Sequence, residues 1–250
     1  MESLEAERER AVDLDVSELA DAIESIGFEC TRCGACCKAV EKCGDGDDND
    51  VSDADRDGGD RDGDDQRDAT GGDEGHDHTA TVFPDEVRRV QETGDYDWRD
   101  VARPMPYGLV EGDDGPQGET FEWALQTDDC GDCTFYEETD GEGACTVHED
   151  RPLVCRTYPF SVALGGTSQP MGEAVDEDGM VRAHECEGLG RDISREEAAE
   201  LATTLKERAV RELDEAIAVR DSYEPVERGP GEVVVYDSEG TKRPDGTAVE

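Results

Sequence analysis

Residues 28–37 read Phe28-Glu29-Cys30-Thr31-Arg32-Cys33-Gly34-Ala35-Cys36-Cys37, with four cysteines in ten residues. Two residues between thiolates let a tight backbone turn aim both sulfurs at one ion, with Zn–S near about 2.3 Å, and backbone amides in such turns stabilise the thiolate charge. The adjacent side chains of Cys36 and Cys37 are expected to diverge. Neighbouring side chains face opposite sides of a strand and diverge by about 100° in a helix of 3.6 residues per turn. These two sulfurs therefore serve different sites, or different atoms of one cluster. Cys43 follows closely, and a second group contains Cys130, Cys133, Cys145, Cys155 and Cys186. Uneven clustering of this kind fits reduced, metal-ligating thiols better than a disulfide framework or buried packing residues.

Composition points the same way. Of the 250 residues only 34% are hydrophobic and 5% aromatic, so an oily core must be small or stapled. The formal net charge is -44, from 68 acidic residues against 24 basic ones. Such a surface repels phosphate and anionic lipid, which argues against nucleic-acid and membrane partners. Concentrated salt makes that charge tolerable, because the screening length falls to about 3 Å at 1 M; a halophilic host is the expectation. Residues 1–21 are acidic and broken by charge, with no apolar stretch to act as a targeting segment, which predicts a cytoplasmic protein.

Outward from the cysteines, Val16, Leu19, Ala22, Ile23 and Ile26 recur at helical spacing before Gly27. Residues 44–80 hold fourteen Asp, one Glu and three Arg, a net charge of -12. That tract cannot bury a core and reads as a disordered acidic insertion within one domain. A short helix is expected at Pro84, with Val87 and Val90 on its apolar side before Gly94. Within 99–128, Phe121, Trp123 and Leu125 fall at period two, and residues 112–116 supply a turn, which predicts a β-hairpin. Ser194 and Glu197 form a capping box for a long amphipathic helix over 195–221, carrying Leu201, Leu205, Leu213 and Ile217. Val233 to Tyr236 suit a short strand, and a frayed tail is expected from Asp237 onward.

The four pieces Phe28 to Cys37, Cys133-Thr-Phe, Cys145-Thr-Val-His-Glu-Asp-Arg-Pro-Leu-Val-Cys155-Arg-Thr-Tyr-Pro-Phe160 and Cys186 resemble, in order, the CxxCxxCC (YkgJ-type) cysteine-cluster family, a zinc- or iron-chelating domain. The resemblance implies a metal ligand set of Cys30, Cys33, Cys36, Cys37, Cys133, Cys145, Cys155 and Cys186, with Cys43 and Cys130 as extras. It also implies alternatives: some relatives are flagellin lysine methylases, and members are often labelled iron-sulfur oxidoreductases.

Basic residues should gather where thiolates leave net negative charge, and Arg32, Lys38, Lys42, Arg151 and Arg156 do so in a chain with four lysines in all. Asp150 and Pro152 read as a helix start that would fix the approach of Cys155. Other signals are weak. Asp53-Ala-Asp-Arg-Asp57-Gly58, with Asp64 in the twelfth position, opens like a calcium loop, but an Asp/Gly-rich tract without flanking apolar helices produces such matches by chance. His76 and His78 are expected to face solvent; His184, two residues before Cys186, is an alternative ligand candidate, but the expectation is that it is exposed or lies beside the ligands. No Ser-His-Asp set, phosphate loop or dinucleotide fingerprint is legible, so no catalytic residue is assigned.

The fold expected is α+β, a small irregular metal-stapled core with a β-hairpin and flanking amphipathic helices. Residues 1–43 and 81–221 would form one cysteine-cluster domain, interrupted by 44–80 and followed by a strand and tail over 222–250. The function expected is to hold an iron-sulfur cluster or Zn2+ through two groups of cysteines, the iron-sulfur cluster being favoured. A metal-dependent enzyme and a metal carrier are the alternatives.

Overall fold

The structure is a computed structural model that describes residues 3–39, 78–112, 115–139, 142–164, 174–176 and 179–249. Cys43, Lys42, His76 and the acidic tract up to residue 77 lie outside the described residues.

Helix α1 (Leu4–Asp13) starts at Ser3, whose side chain accepts the Ala6 N–H, and α2 (Val16–Ile26) starts at Asp15, whose carboxylate accepts from Ser17 and Glu18. Apolar periodicity marks α2 but not α1. α1 escapes it because among its residues only Glu7 and Ala11 are buried. Gly27 ends α2 as its position predicts: φ is +77°, and a Cβ there would sit 2.4 Å from the Arg191 carbonyl oxygen.

The order then runs β1 (Thr81–Val82), α3 (Pro84–Gln91), α4 (Trp98–Val101), β2 (Ala102–Pro104), β3 (Leu109–Gly112), β4 (Gly115–Thr120) and β5 (Trp123–Leu125). It continues with β6 (Tyr136–Thr139), β7 (Glu142–Cys145), α5 (Leu153–Thr157), β8 (Phe160–Val162), β9 (Ala174–Asp176), β10 (Val181–His184), α6 (Arg195–Ser222), β11 (Val233–Asp237) and β12 (Gly240–Lys242). The result is an α+β fold of short helices and small unclosed sheets, ordered β1-β5-β2, β8-β10-β9, β12-β11-β4-β3 and β6-β7. Among the described residues no helix is long and apolar enough to cross a membrane.

Two apolar clusters organise these pieces. In the first, α6 lays Ala198, Ala202, Leu205 and Leu213 against Leu19 and Ile23 of α2 and against Phe160 and Val181 of the β8-β10 pair. Small residues on α6 let its axis approach closely. Its start carries the expected capping box, with Ser194 Oγ accepting the Glu197 N–H at 3.2 Å and Ser194 N donating to Glu197 Oε2 at 3.1 Å. The second cluster joins Val87 and Val90 of α3 to Trp123, Leu125, Cys133, Phe135, Val147 and Val235, and Cys37, Cys145 and Cys155 pack on it.

Three local expectations are corrected. The expected hairpin at 112–116 is present as β3-β4, antiparallel from Leu109 opposite Gly118 to Gly112 opposite Gly115, but the Phe121–Leu125 run is not one of its strands. The Trp123–Leu125 strand instead lies between β1 and β2 with all three residues buried, so alternation along it was not the signature of a half-exposed strand. Phe121 lies outside the strands and is 45% exposed. The segment from Asp237 onward does not fray: β11 pairs in parallel with β4 and antiparallel with β12. Asp237 is buried, accepting from Trp123 Nε1 at 2.8 Å and pairing with Lys242 at 2.8 Å. Finally, Asp150 lies in a separate helical turn (His148–Asp150), and Pro152 is the N-cap residue of α5 with no side-chain cap of its own. Glu86, from α3, supplies the acceptor instead. Its Oε1 takes the Leu153 N–H at 2.8 Å while Oε2 takes the Phe83 N–H at 3.1 Å. Burial pushes this carboxyl up in pKa, and the two N–H groups oppose that rise.

Candidate metal centre

The cysteine loop is built by backbone pairing with distant segments. Leaving α2, the chain zips against residues 188–190: Glu29 N–H donates to the Gly188 carbonyl at 3.0 Å, and Gly190 N–H to the Gly27 carbonyl at 3.0 Å. A Cβ on Gly188 would lie 2.2 Å from the Glu29 carbonyl oxygen, so the close approach requires glycine there. Phe28 locks the entry edge-on to Phe160, at a centroid distance of 5.7 Å. This pairing carries Cys30 toward Cys186, whose sulfur receives the Gly188 N–H at 3.4 Å.

The loop turns through two left-handed residues, Arg32 at φ 58° and Gly34 at φ 77°, into a short helical turn (Ala35–Cys37). The β6-β7 hairpin backs this turn: Gly143 N–H donates to the Arg32 carbonyl at 3.0 Å, and a Cβ on Gly34 would lie 2.1 Å from the Tyr136 hydroxyl. Tyr136 in turn donates to Glu138 at 2.7 Å, which also pairs with Lys38 at 2.5 Å. Cys133 N–H donates to the Cys37 carbonyl at 2.8 Å, joining the first cysteine group to the second. Cys145 ends β7 opposite Tyr136, and Cys155 is carried on α5.

All eight cysteines of the anticipated set are free thiols, with Cys133 buried, Cys30 and Cys36 exposed and the others between. Cys130 is disulfide-bonded, so it is not among the free thiols and departs from the expectation of reduced cysteines throughout. Electrostatics shows which sulfurs are neighbours. The Cys37 thiol, its Sγ 3.8 Å from Cys36 Sγ, holds Cys36 down to about 7, helped by the Cys36 N–H and by Arg151. Cys37 is pushed up by Cys36, by burial, and by Cys133 and Cys155 nearby. Burial raises Cys155 well above the ordinary thiol range, and Cys133, Cys36 and Cys145 add to it. Burial raises Cys133 to about 11, with Cys145 and Cys36 contributing. Cys186 is raised by burial and then by Cys33, Cys36 and Cys30. Tyr158, raised to about 12 by burial, also has Cys186, Cys36 and Cys33 around it.

Cys37, Cys133, Cys145 and Cys155 thus pack on the second apolar core, while Cys33 and Cys186 lie near Tyr158, Cys30 lies near Cys186, and Cys36 lies near both groups. Among the described residues no three His, Cys, Asp or Glu side chains converge tightly enough to hold a metal ion. The donors are nonetheless soft thiols, one already poised toward thiolate and another receiving an amide N–H, and these fit zinc or iron-sulfur chemistry. Of the basic residues anticipated, Arg151 lies close enough to help lower Cys36 and to oppose the rise that burial imposes on Cys145. Lys38 is engaged with Glu138 instead.

The histidines behave differently from expectation. His184 is buried and shares a 2.8 Å hydrogen bond with Ser161 Oγ, so its ring is held inside the β8-β10 pair. His78 does not face solvent. Its Nε2 is buried without a hydrogen-bond partner, and burial drives its pKa down to about 4. Tyr158 and Tyr136 were the neighbours missed; the only signal for Tyr158 was its place in the Cys155-Arg-Thr-Tyr-Pro run.

No curated protein and no solved structure matches the chain. The family described as "CxxCxxCC: Putative zinc- or iron-chelating domain" matches residues 29–187, a span holding all eight of these cysteines and more than half the sequence. The chain therefore belongs to the CxxCxxCC family of zinc- or iron-chelating cysteine-cluster domains.

Proposed function

We propose that this protein holds a thiophilic metal centre through Cys30, Cys33, Cys36, Cys37, Cys133, Cys145, Cys155 and Cys186, in two sets of four that meet at the Cys36-Cys37 pair. One set is Cys37, Cys133, Cys145 and Cys155; the other is Cys30, Cys33, Cys36 and Cys186. The observation that carries this reading is that Cys37, Cys133, Cys145 and Cys155, from separate parts of the chain, pack on one apolar cluster, with the Cys133 N–H on the Cys37 carbonyl. Residues 1–43 and 81–221 act as one domain around the centre. Metal ligation contributes folding free energy where apolar material is scarce, as structural zinc does in small peptides by about 10–16 kcal/mol.

An iron-sulfur centre is the leading assignment. The C-x2-C-x2-C spacing resembles that of bacterial ferredoxins, and Arg151 offsets the charge of the thiolates. A bound cluster would supply one-electron chemistry. Zinc is the second reading, favoured by one distance: the 3.8 Å between Cys36 Sγ and Cys37 Sγ equals the edge, about 3.8 Å, of a tetrahedron of thiolates at about 2.3 Å from one ion. Zinc would then take both sulfurs of the pair. Purification without oxygen, followed by ultraviolet-visible spectroscopy and analysis of iron, sulfide and zinc, tests both. Brown protein with equimolar iron and sulfide supports the cluster. Colourless protein with stoichiometric zinc replaces it by the second reading, and protein without either metal defeats the proposal.

A further inference from the structure

A cavity of about 660 Å³ opens between the β4-β5 connection and the C-terminal half of α6, on a different part of the molecule from the thiols. In a chain with 5% aromatic residues, five of them line this one space. Three are left open to water, Tyr107 at 62%, Phe121 at 45% and Tyr223 at 39% exposure. Two of them are held in place: Phe121 stacks on Tyr236 at 5.5 Å and 23°, and Tyr223 packs edge-to-face with the same ring at 4.7 Å.

The charged lining is lopsided. Glu122, Glu212, Glu215 and Asp237 reach the cavity, against the single cation Arg220. Arg220 is committed to Glu5 at 2.7 Å and Asp221 at 2.8 Å. Asp237 is balanced by Lys242 at 2.8 Å and Glu212 by Arg208 at 2.7 Å. Glu215 accepts the Ser238 N–H at 2.9 Å and has no ion-pair partner among the described residues. Burial raises its carboxyl, and the neighbouring Asp237 adds to the rise. An anion would meet these carboxylates, and a neutral apolar ligand would bury Glu215 without a compensating charge. A small hydrated inorganic cation would lose water that aromatic walls do not replace. Positive charge spread over apolar substituents satisfies both walls at once, because ring faces attract cations and carboxylates complete the charge balance.

We infer that this cavity binds a small organic cation, a quaternary or alkylated ammonium, with its apolar substituents against Tyr107, Phe121 and Tyr223 and its charge facing Glu215. The site is independent of the identity of the metal.

The test uses the full chain as purified with its metal, at fixed ionic strength. Choline is titrated by calorimetry and by Trp fluorescence, since Trp123 lines the cavity. Its uncharged carbon isostere, 3,3-dimethylbutan-1-ol, is the comparison. Saturable binding of choline is expected, with the alcohol at least about tenfold weaker. Glu215→Gln and Phe121→Ala should each weaken choline binding about tenfold while melting temperature and metal content stay at the parental values. Equal affinity for choline and the alcohol, absence of saturable choline binding, or choline binding that survives both substitutions would each overturn the inference.

Discussion

The Cys133 N–H donates to the carbonyl of Cys37 at 2.8 Å. This bond makes the last residue of the first cysteine run a backbone neighbour of the first matched cysteine of the second group. It places both sulfurs on the same apolar cluster, where Cys145 and Cys155 also pack. A metal site assembled this way depends on the tertiary fold as much as on the local turn.

Substitution should reveal the two sets. Cys155→Ser and Cys186→Ser are each expected to lose about half of the bound metal, and the double variant nearly all of it, because each removes one donor from a different four-thiol set. Cys130→Ser should keep parental metal content, since Cys130 is already committed to a disulfide. Metal analysis by mass spectrometry decides the matter; loss of all metal from either single variant would mean one shared centre.

The ends flanking the acidic tract are pinned to neighbouring residues. Ala39 N–H donates to Asp132 Oδ1 at 2.7 Å and His78 N–H to the Gly131 carbonyl at 2.8 Å. A short Gly/Ser bridge in place of residues 44–77, which spares His78 and the buried Ala80, should therefore close without displacing the thiols. Shortening the loop lowers its closure entropy, and the expected gain is about 1–2 kcal/mol in unfolding free energy in concentrated salt, with metal content unchanged. Chemical denaturation of the metal-loaded variant measures it, and metal loss would place part of the site in the tract.

Two glycines near each other separate crowding from backbone strain. Gly188→Ala would thrust a methyl to 2.2 Å from the Glu29 carbonyl and should cost about 2–4 kcal/mol while loosening metal at Cys30 and Cys186. Gly190 has φ +75° but open space around it, so Gly190→Ala should cost only about 1–2 kcal/mol and spare the metal. Melting curves paired with metal analysis distinguish the two, and equal losses would show that crowding at Glu29 is not the constraint.

Acid should weaken the hold of α3 on the C-terminal hairpin. Arg88, followed by Lys242, holds the Glu239 carboxyl down at about 2, against an ordinary value of 4.5. A folded-state pKa below the unfolded one gives stabilisation that is complete above about 4.5 and is lost as pH falls toward about 2. Both partners of the Arg88-Glu239 pair are partly exposed, so the contribution is under about 1 kcal/mol. Glu239→Gln should be less stable than the parent at pH 6 by that amount and indistinguishable from it near pH 2. A difference that does not shrink on acidification would assign the effect to packing rather than charge.

Much of this protein is local and was legible as such. The thiol spacing of 30–37, the stop at Gly27, the start at Pro84 and the capping box at Ser194 each rest on interactions within a few residues, so the order of residues alone determines them. The low apolar content likewise determined that no large core would form. Other features were decided only by the tertiary structure, because their partners are far apart in sequence. Gly188 draws Cys30 toward Cys186, Glu86 and not Asp150 caps α5, and Trp123 fastens Asp237 so that the tail forms a hairpin. The aromatic and acidic walls of the cavity come from strands and from α6, and neither carries a motif by itself. Sequence spacing sets which side chains share a turn, but the burial of scattered apolar residues sets which turns meet, and that depends on the whole chain at once.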